Sequence, residues 1–403
     1  MHDHPAGWMG LLVLSLWAGS WTGSSALAQG PDTVQTGTLA AVENAPLELD
    51  MRRELFVDDY LIGSMQGAHL KMHSPTRRNV ALELDRPWEG PFCGYFTVIK
   101  DGEIYRLYYR GMPGAGAKEV TCYAESQDGK TFTRPDLGLF EVNGTRENNV
   151  ILAEHRACHN FAPFLDQRPD VPKSQRFKAL GGTGKPGLIA FASEDGIHWK
   201  PLQEDPVITQ GAFDSQNVAF WSERENRYVC FFRIFESGVR SVARAHSSDF
   251  LHWSEPQAMT YGDTPREHLY TSQTHPYFRA PHLYIGFPMR FFPGQRVISE
   301  ADADALEVVP LYRKDSSDGV FLTNREGNRY DRTFMEAFLR PGLDPGNWVS
   351  RVNMAARGVV PTSEESLGLY YSQHYAQPSH HLLHCSLRTD GFASLNAPYA
   401  GGE

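Results

Sequence analysis

The sequence predicts an all-β fold, and three observations predict it. The chain is rich in turn formers and aromatics, with 36 Gly, 26 Pro, 23 Phe, 17 Tyr and 8 Trp in 403 residues, the mix of many short strands joined by tight turns. A short turn signature recurs along the chain, and the same order of strand-like segments stands around each copy. No stretch carries a sustained 3.6-residue apolar period, and residues 299–306 (SEADADAL) are expected to form one short helix in a loop.

The turn signature is polar-x-acid-Gly-x-x-aromatic. It reads SQDGKTF at 126–132, SEDGIHW at 193–199, SSDFLHW at 247–253 and NREGNRY at 324–330, with a shortened TDGF at 389–392. Asp-Gly tolerates the positive φ of a tight turn, and the aromatic three residues on can pack against the next unit. The acids Asp128, Asp195, Asp249, Glu326 and Asp390 are therefore read as structural.

Ahead of each turn lies an aromatic-rich strand: 103–111 (EIYRLYYRG), 176–182, 226–235 (NRYVCFFRIF), 282–291 (HLYIGFPMRF) and 366–375. Each is preceded by an earlier strand, at 92–99, 158–165, 213–221, 269–278 and 350–360, and a third strand runs into the turn, as at 119–126, 187–193 and 239–247. Strand, strand, strand, turn, strand, five times over, predicts a five-bladed β-propeller of four-stranded antiparallel blades across 48–403. The segment LFVDDYLI (55–62) is expected to pair with the last blade and close the ring, removing an open sheet edge.

Charge and the N-terminus bound the function. With 38 Lys+Arg against 48 Asp+Glu the net charge is −10, so affinity through neutralised nucleic-acid phosphates is excluded by bulk charge. Residues 9–21 form an uncharged apolar run followed by Ala26-Leu27-Ala28, which reads as a signal peptide over 1–28 cut after Ala28. A tether over 29–47 follows, and the mature chain is expected to be secreted or periplasmic without a membrane span. Five widely spaced cysteines with no C-x-x-C pair suit buried strand positions.

In a propeller the first strand of every blade lines the axial channel, so its polar residues converge although they are far apart in sequence. These residues are Tyr95 in the first blade, His159 and Asn160 in the second, Asp214, Gln216 and Asn217 in the third, Tyr270, Thr271 and His275 in the fourth, and Arg351 in the fifth. Carboxylate, imidazole, amide, hydroxyl, guanidinium and aromatic groups in one funnel suit a sugar ring, which needs bidentate polar partners and an apolar platform. Glycoside hydrolysis usually needs two carboxylates. Asp214 is the central one; Glu267, Glu336 and Glu89 are candidates for the second, and His159 or His275 could supply the acid instead. His380, His381 and His384 cluster, but His381 and His384 point to opposite faces of a strand, so no metal is expected there and no cofactor is called for.

The segments 55–62, 87–111, 122–132, 159–166, 213–221, 279–291 and 387–392 resemble a group of exported bacterial proteins common in planctomycetes, over about residues 52–400. That group is similar to the five-bladed propeller superfamily of invertases, levansucrases, arabinanases and β-xylosidases. The resemblance implies the propeller and carbohydrate chemistry. It does not carry the catalytic residues across: those enzymes place an acidic nucleophile or base in the first blade, an Asp in the second and an acid Glu in the third, where this chain has Tyr95, His159 with Asn160, and Asp214. Members of the group are often longer, with a C-terminal β-sandwich, so a chain ending at 400–403 is expected to be a shorter form.

The expected function is an exported glycoside hydrolase acting on plant or algal oligo- or polysaccharides. Asp214, Glu267 and His159 are the expected catalytic residues. Tyr95, Asn160, Gln216, Asn217, Tyr270, Thr271, His275 and Arg351 are expected to hold the sugar, Arg351 pairing with any carboxylate or sulfate. The alternative is a non-catalytic carbohydrate-binding propeller.

Overall fold

The structure, a computed structural model, describes residues 47–402. The signal peptide expected at 1–28, and the tether but for its last residue, lie outside the described residues. Within them the chain is all-β, with short 3-10 turns and an α-helix, Glu300–Ala305, where the sequence predicts one. Ser299 caps that helix by accepting from the Asp302 N–H at 3.0 Å.

Consecutive strands form antiparallel meanders. The first sheet contains Gly94–Asp101, Ile104–Gly111, Val120–Ser126 and Val150–Leu152; the second contains Ala162–Leu165, Phe177–Gly181, Ile189–Ser193 and Lys200–Pro201. The third contains Val218–Ser222, Arg227–Glu236, Val239–Ser247 and Gln257–Ala258. The region expected to form a fourth meander instead forms two three-stranded sheets. Pro288, which has no N–H to donate, breaks the strand expected at 282–291. Ala280–Gly286 pairs with His275–Tyr277 and Leu322–Asn324, while Met289–Phe292 pairs with His268–Tyr270 and Ser316–Gly319.

The last sheet joins the two ends of the described chain. Val360–Pro361, Ser366–Gln373 and His381–Arg388 are completed by Thr76–Glu83 from the N-terminal side, and His69–Met72 pairs with Ala393–Asn396. The expected closing segment 55–62 is not a strand. Asp58 accepts from the Tyr60 N–H at 3.1 Å to cap a 3-10 turn, and both of its oxygens lie 3.0 Å from the Arg325 guanidinium. Leu55 and Val57 are buried in the core beside this anchor.

In three of its five copies the turn signature does what its chemistry predicts, while Glu326 and Asp390 accept from the side chains of Arg224 and of Tyr277 and Arg279. Asp195 Oδ1 accepts from the N–H groups of Ile197 and His198 at 2.9 and 2.8 Å, and Ser193 Oγ accepts from Gly196 N–H at 2.9 Å. Asp128 and Asp249 repeat the pattern. Gly129 and Gly196 take φ of 68° and 77°, and Phe250 takes 73° at the same place in the third copy. The turns dock onto neighbouring sheets: Trp199 meets Tyr108 at 6.4 Å between ring centres, and Phe132 meets Tyr370 at 5.7 Å. All five cysteines are buried and unbridged.

First strands of successive sheets lie against one another: Gly94–Asp101 on Ala162–Leu165, that on Val218–Ser222, and that on His275–Tyr277. Thr97 bridges in parallel to Arg357, just ahead of the last sheet. The buried Arg357 guanidinium donates to Pro163 O at 3.3 Å and Ala219 O at 3.4 Å, tying second and third sheets to its own segment.

Candidate functional site

Asp214, His159 and Arg351 stand on segments that precede first strands, and Tyr95 and Tyr270 lie in the strands Gly94–Asp101 and His268–Tyr270. Asp214 stands on a bend ahead of Val218–Ser222. Asn160 Nδ2 donates to the carbonyls on either side of it, Phe213 O at 2.6 Å and Ser215 O at 2.8 Å, and Asn217 Nδ2 donates to the same two at 3.1 and 3.0 Å. Clamped in this way, the bend presents a carboxylate whose side chain is still 47% exposed. His159 ends the 3-10 turn Arg156–His159, ahead of Ala162–Leu165.

These two side chains meet. His159 Nε2 lies 2.9 Å from Asp214 Oδ1, and Nδ1 lies 2.8 Å from Glu119 Oε1. An imidazole therefore sits between two carboxylates. Burial lowers the affinity of His159 for its proton, but the hydrogen bonds to Asp214 and Glu119 outweigh it and raise the pKa above the ordinary 6.5. The His159 hydrogen bond holds Asp214 far below the usual carboxylate range against the opposing effect of burial, with help from the Arg233 and Arg351 charges. Arg233 Nη2 is 3.7 Å from Asp214 Oδ2.

Two tyrosines complete the wall. Tyr95 donates to Asp214 Oδ1 at 3.3 Å, and its oxygen lies 2.5 Å from that of Tyr270. Burial, and then the neighbouring Tyr270 and Asp214, push the Tyr95 phenol well above its ordinary value, so it stays a donor. Arg110 stacks 4.8 Å above the Tyr95 ring, and Arg351 lies 5.9 Å from the Tyr270 ring. Tyr95, Thr271 and Arg351 take φ of 54°, 55° and 64°. Left-handed backbone at such residues costs about 1–3 kcal/mol each and collects where geometry serves function.

The structure thus brings together Asp214, His159, Tyr95, Tyr270 and Arg351. It does not bring in Glu267, whose carboxylate is held by Arg290 at 2.8 Å and Arg332 at 2.5 Å and lines a different cleft beside Tyr261. The reason is local: His268–Tyr270, which follows it, pairs with Met289–Phe292 and is not the innermost strand of its region. Glu89 is fully buried against Arg134 and Tyr109, and Glu336 is exposed and, among the described residues, makes no hydrogen bond to the Asp214 group.

His275, expected to face sugar, is buried; Nδ1 donates to Gln273 O at 2.8 Å, Nε2 accepts from Val359 N–H at 3.2 Å, and burial pushes its pKa down to about 3. Gln216 is buried too, donating to Thr97 Oγ1 at 2.8 Å and accepting from Gln273 at 2.7 Å. Asn160 and Asn217 are inside the fold as the clamp on Asp214, and Thr271 is buried with its hydroxyl on Tyr270 O at 2.6 Å.

Glu119, Arg110, Arg233 and Arg240 were not legible as site residues, because they lie at ends of second and third strands rather than on first strands. A signal for two of the arginines is present: Arg110 and Arg233 each directly follow a pair of aromatics toward the end of the second strand.

No protein-family model and no curated protein matches the sequence. Solved structures do match. One described as a glycoside hydrolase has a TM-score of 0.51 and 11% identity, covering 82% of this chain and 96% of that one. Another, an N-acetylgalactosamine deacetylase from F. plautii in complex with blood group B trisaccharide, gives a TM-score of 0.50 at 13% identity, covering 79% of this chain and 95% of that one. The fold is β-propeller-like. At these identities the likeness extends to the fold alone.

Proposed function

We propose that the protein is an exported glycoside hydrolase with its active site at the mouth of a five-bladed propeller. Five first strands, at 94–101, 162–165, 218–222, 275–277 and 360–361, support the blade count, and the apolar run with Ala26-Leu27-Ala28 supports export. The observation that carries the reading is the Glu119–His159–Asp214 chain, with its outer carboxylate open to solvent.

Asp214, kept ionised, is either the base that takes a proton from the water attacking the anomeric carbon or the nucleophile whose glycosyl ester a water then cleaves. His159, whose affinity for its proton the two carboxylates raise, is the acid: a leaving-group oxygen arriving at Nε2 takes the proton that Asp214 now shares. Glu119 holds the ring in orientation and retains the positive charge. Tyr95 and Tyr270 supply phenol donors and aromatic surface for the sugar.

The fold likeness to a glycoside hydrolase agrees with this reading and does not carry it. Two observations favour a non-catalytic carbohydrate-binding protein instead: both nitrogens of His159 are already engaged, and its Nε2 stands 2.9 Å from Asp214, closer than the roughly 5–10 Å between the two catalytic groups of glycosidases. A panel of neutral, carboxylated and sulfated plant and algal oligosaccharides, read by reducing-end release, separates the two. Release from one of them, reduced roughly 10²–10⁴-fold in Asp214→Asn with folding retained, is the expected result. Binding by calorimetry with no release from any member establishes the binding protein.

A further inference from the structure

Next to Tyr270 the surface opens into a cleft of about 220 Å³ lined by Arg240, Tyr270, Tyr312, Lys314, Asp315 and Arg351. Its charge is lopsided. Asp315 is buried and turned to the backbone, accepting from Gly294 N–H at 2.7 Å. Arg351 and Lys314 make no ion pair among the described residues, and the side-chain contact of Arg240 is a ring nitrogen of His268 at 3.4 Å. Arg233 adds a fourth cation, 5.4 Å from the Tyr270 ring.

Arg351 and Arg240 are held against aromatic faces and make no ion pair among the described residues, whereas Arg233 also faces Asp214 at 3.7 Å. Arg351 stands 5.3 Å from the Tyr312 ring, and Arg240 stands 4.7 Å from Phe291 and 5.7 Å from Phe235. Stacking fixes a guanidinium plane while leaving its N–H edge free for an incoming acceptor. Burial, and then the Arg233 and Arg351 charges, lower the proton affinity of Arg240 more than Tyr270 and Asp214 raise it, a sign of like charges gathered in one place. In a chain whose net charge is −10 such a focus of positive charge is local and directed.

We propose that this cleft binds the acidic groups, carboxylate or sulfate, of an anionic glycan whose adjoining sugar lies at Asp214. Resting on the reading of Asp214 as a glycan site, the inference adds the substrate class. Arg351 is the central contact because it sits between the Tyr270 wall of the Asp214 site and the cleft. Arg240 and Lys314 line the same cleft and add cationic contacts for the acidic group.

The test uses the full-length mature protein and three probes: a uronic-acid oligosaccharide, its carboxyl-reduced neutral counterpart, and a sulfated galactan oligosaccharide. Calorimetry is expected to show at least one acidic probe bound about tenfold or more tighter than the neutral one, the worth of a charge-assisted hydrogen bond. That preference is expected to shrink as salt is raised, and to fall in Arg351→Gln and, at an exposed position that folding does not depend on, in Lys314→Gln. The acidic probe that binds identifies the group. Equal affinity for the neutral probe, no binding of either acidic probe, or a preference untouched in both variants overturns the inference. The two readings fail separately. Anion-selective binding without reducing-end release removes the hydrolase and leaves the cleft, whereas release from neutral glycans alone removes the cleft and leaves the hydrolase.

Discussion

An imidazole between two carboxylates is a pH-dependent part in the residues themselves. The pKa of Asp214 is lowered in the fold and that of His159 is raised. The stabilisation from His159 is thus fully present below its ordinary value of 6.5 and is lost as pH rises through its raised value in the fold. The contribution of Asp214 is present above 3.8 and is lost as pH falls through its depressed value. Between these limits both are charged and the pair is intact. His159→Gln should therefore lower Tm most at about pH 5, with the gap from the native protein narrowing as pH is raised past neutrality. Thermal melts across that range check it, and a gap that stays constant with pH would show that His159 acts by packing alone. The proposed catalytic role predicts, in addition, an activity that falls on the alkaline side in parallel with that gap.

Among the elements, the acid-Gly turn is the part most open to reading from sequence, because its chemistry is complete within seven residues. One carboxylate satisfies two N–H groups, one residue takes positive φ, and one aromatic reaches the neighbouring sheet. Gly196 carries two constraints at once: its φ is 77°, and a Cβ there would stand 2.6 Å from the Tyr108 hydroxyl of the first sheet. Gly196→Ala should destabilise by at least about 1 kcal/mol, seen as a lower urea midpoint at unchanged slope. An unchanged midpoint would mean that the turn adapts as it does around Phe250. The starts of the first strands were far less legible. Tyr95, Thr271, Gln273, Arg351 and Asn353 have positive φ that no propensity of Tyr, Thr, Gln or Arg foretells. The sequence reading takes 269–278 and 213–221 as continuous channel-lining strands where the chain bends, and that places His275 and Gln216 in the funnel when they are buried. Glu119 escaped for a different reason: partnership with His159, 40 residues away, has no local signature.

For the whole molecule, the decisive feature is how the chain's two ends are joined. The sequence suggested closure by 55–62, a segment with the right alternation; the two aspartates in it favour a capped turn, and the strand role passes to Thr76–Glu83. Polar residues come first in that strand, and its Ala81 and Leu82 are buried with Leu382 and Tyr370 in one cluster. Without it, His381–Arg388 would be the bare outer edge of the last sheet, with Leu383 and Cys385 left uncovered on that side. Removing residues up to 83 also takes away Leu55, Val57 and Met72 from the adjoining cluster. Burying a large apolar side chain is worth about 1.5–3 kcal/mol, so losing these together exceeds much of the roughly 5–15 kcal/mol that holds a typical domain folded. A chain starting at residue 84 should therefore lack a cooperative melt and self-associate through the open edge, as read by calorimetry and light scattering. Were it to melt cooperatively as a monomer at the native temperature, the ends would be joined for shape alone, and the stability of the fold would reside in its individual meanders.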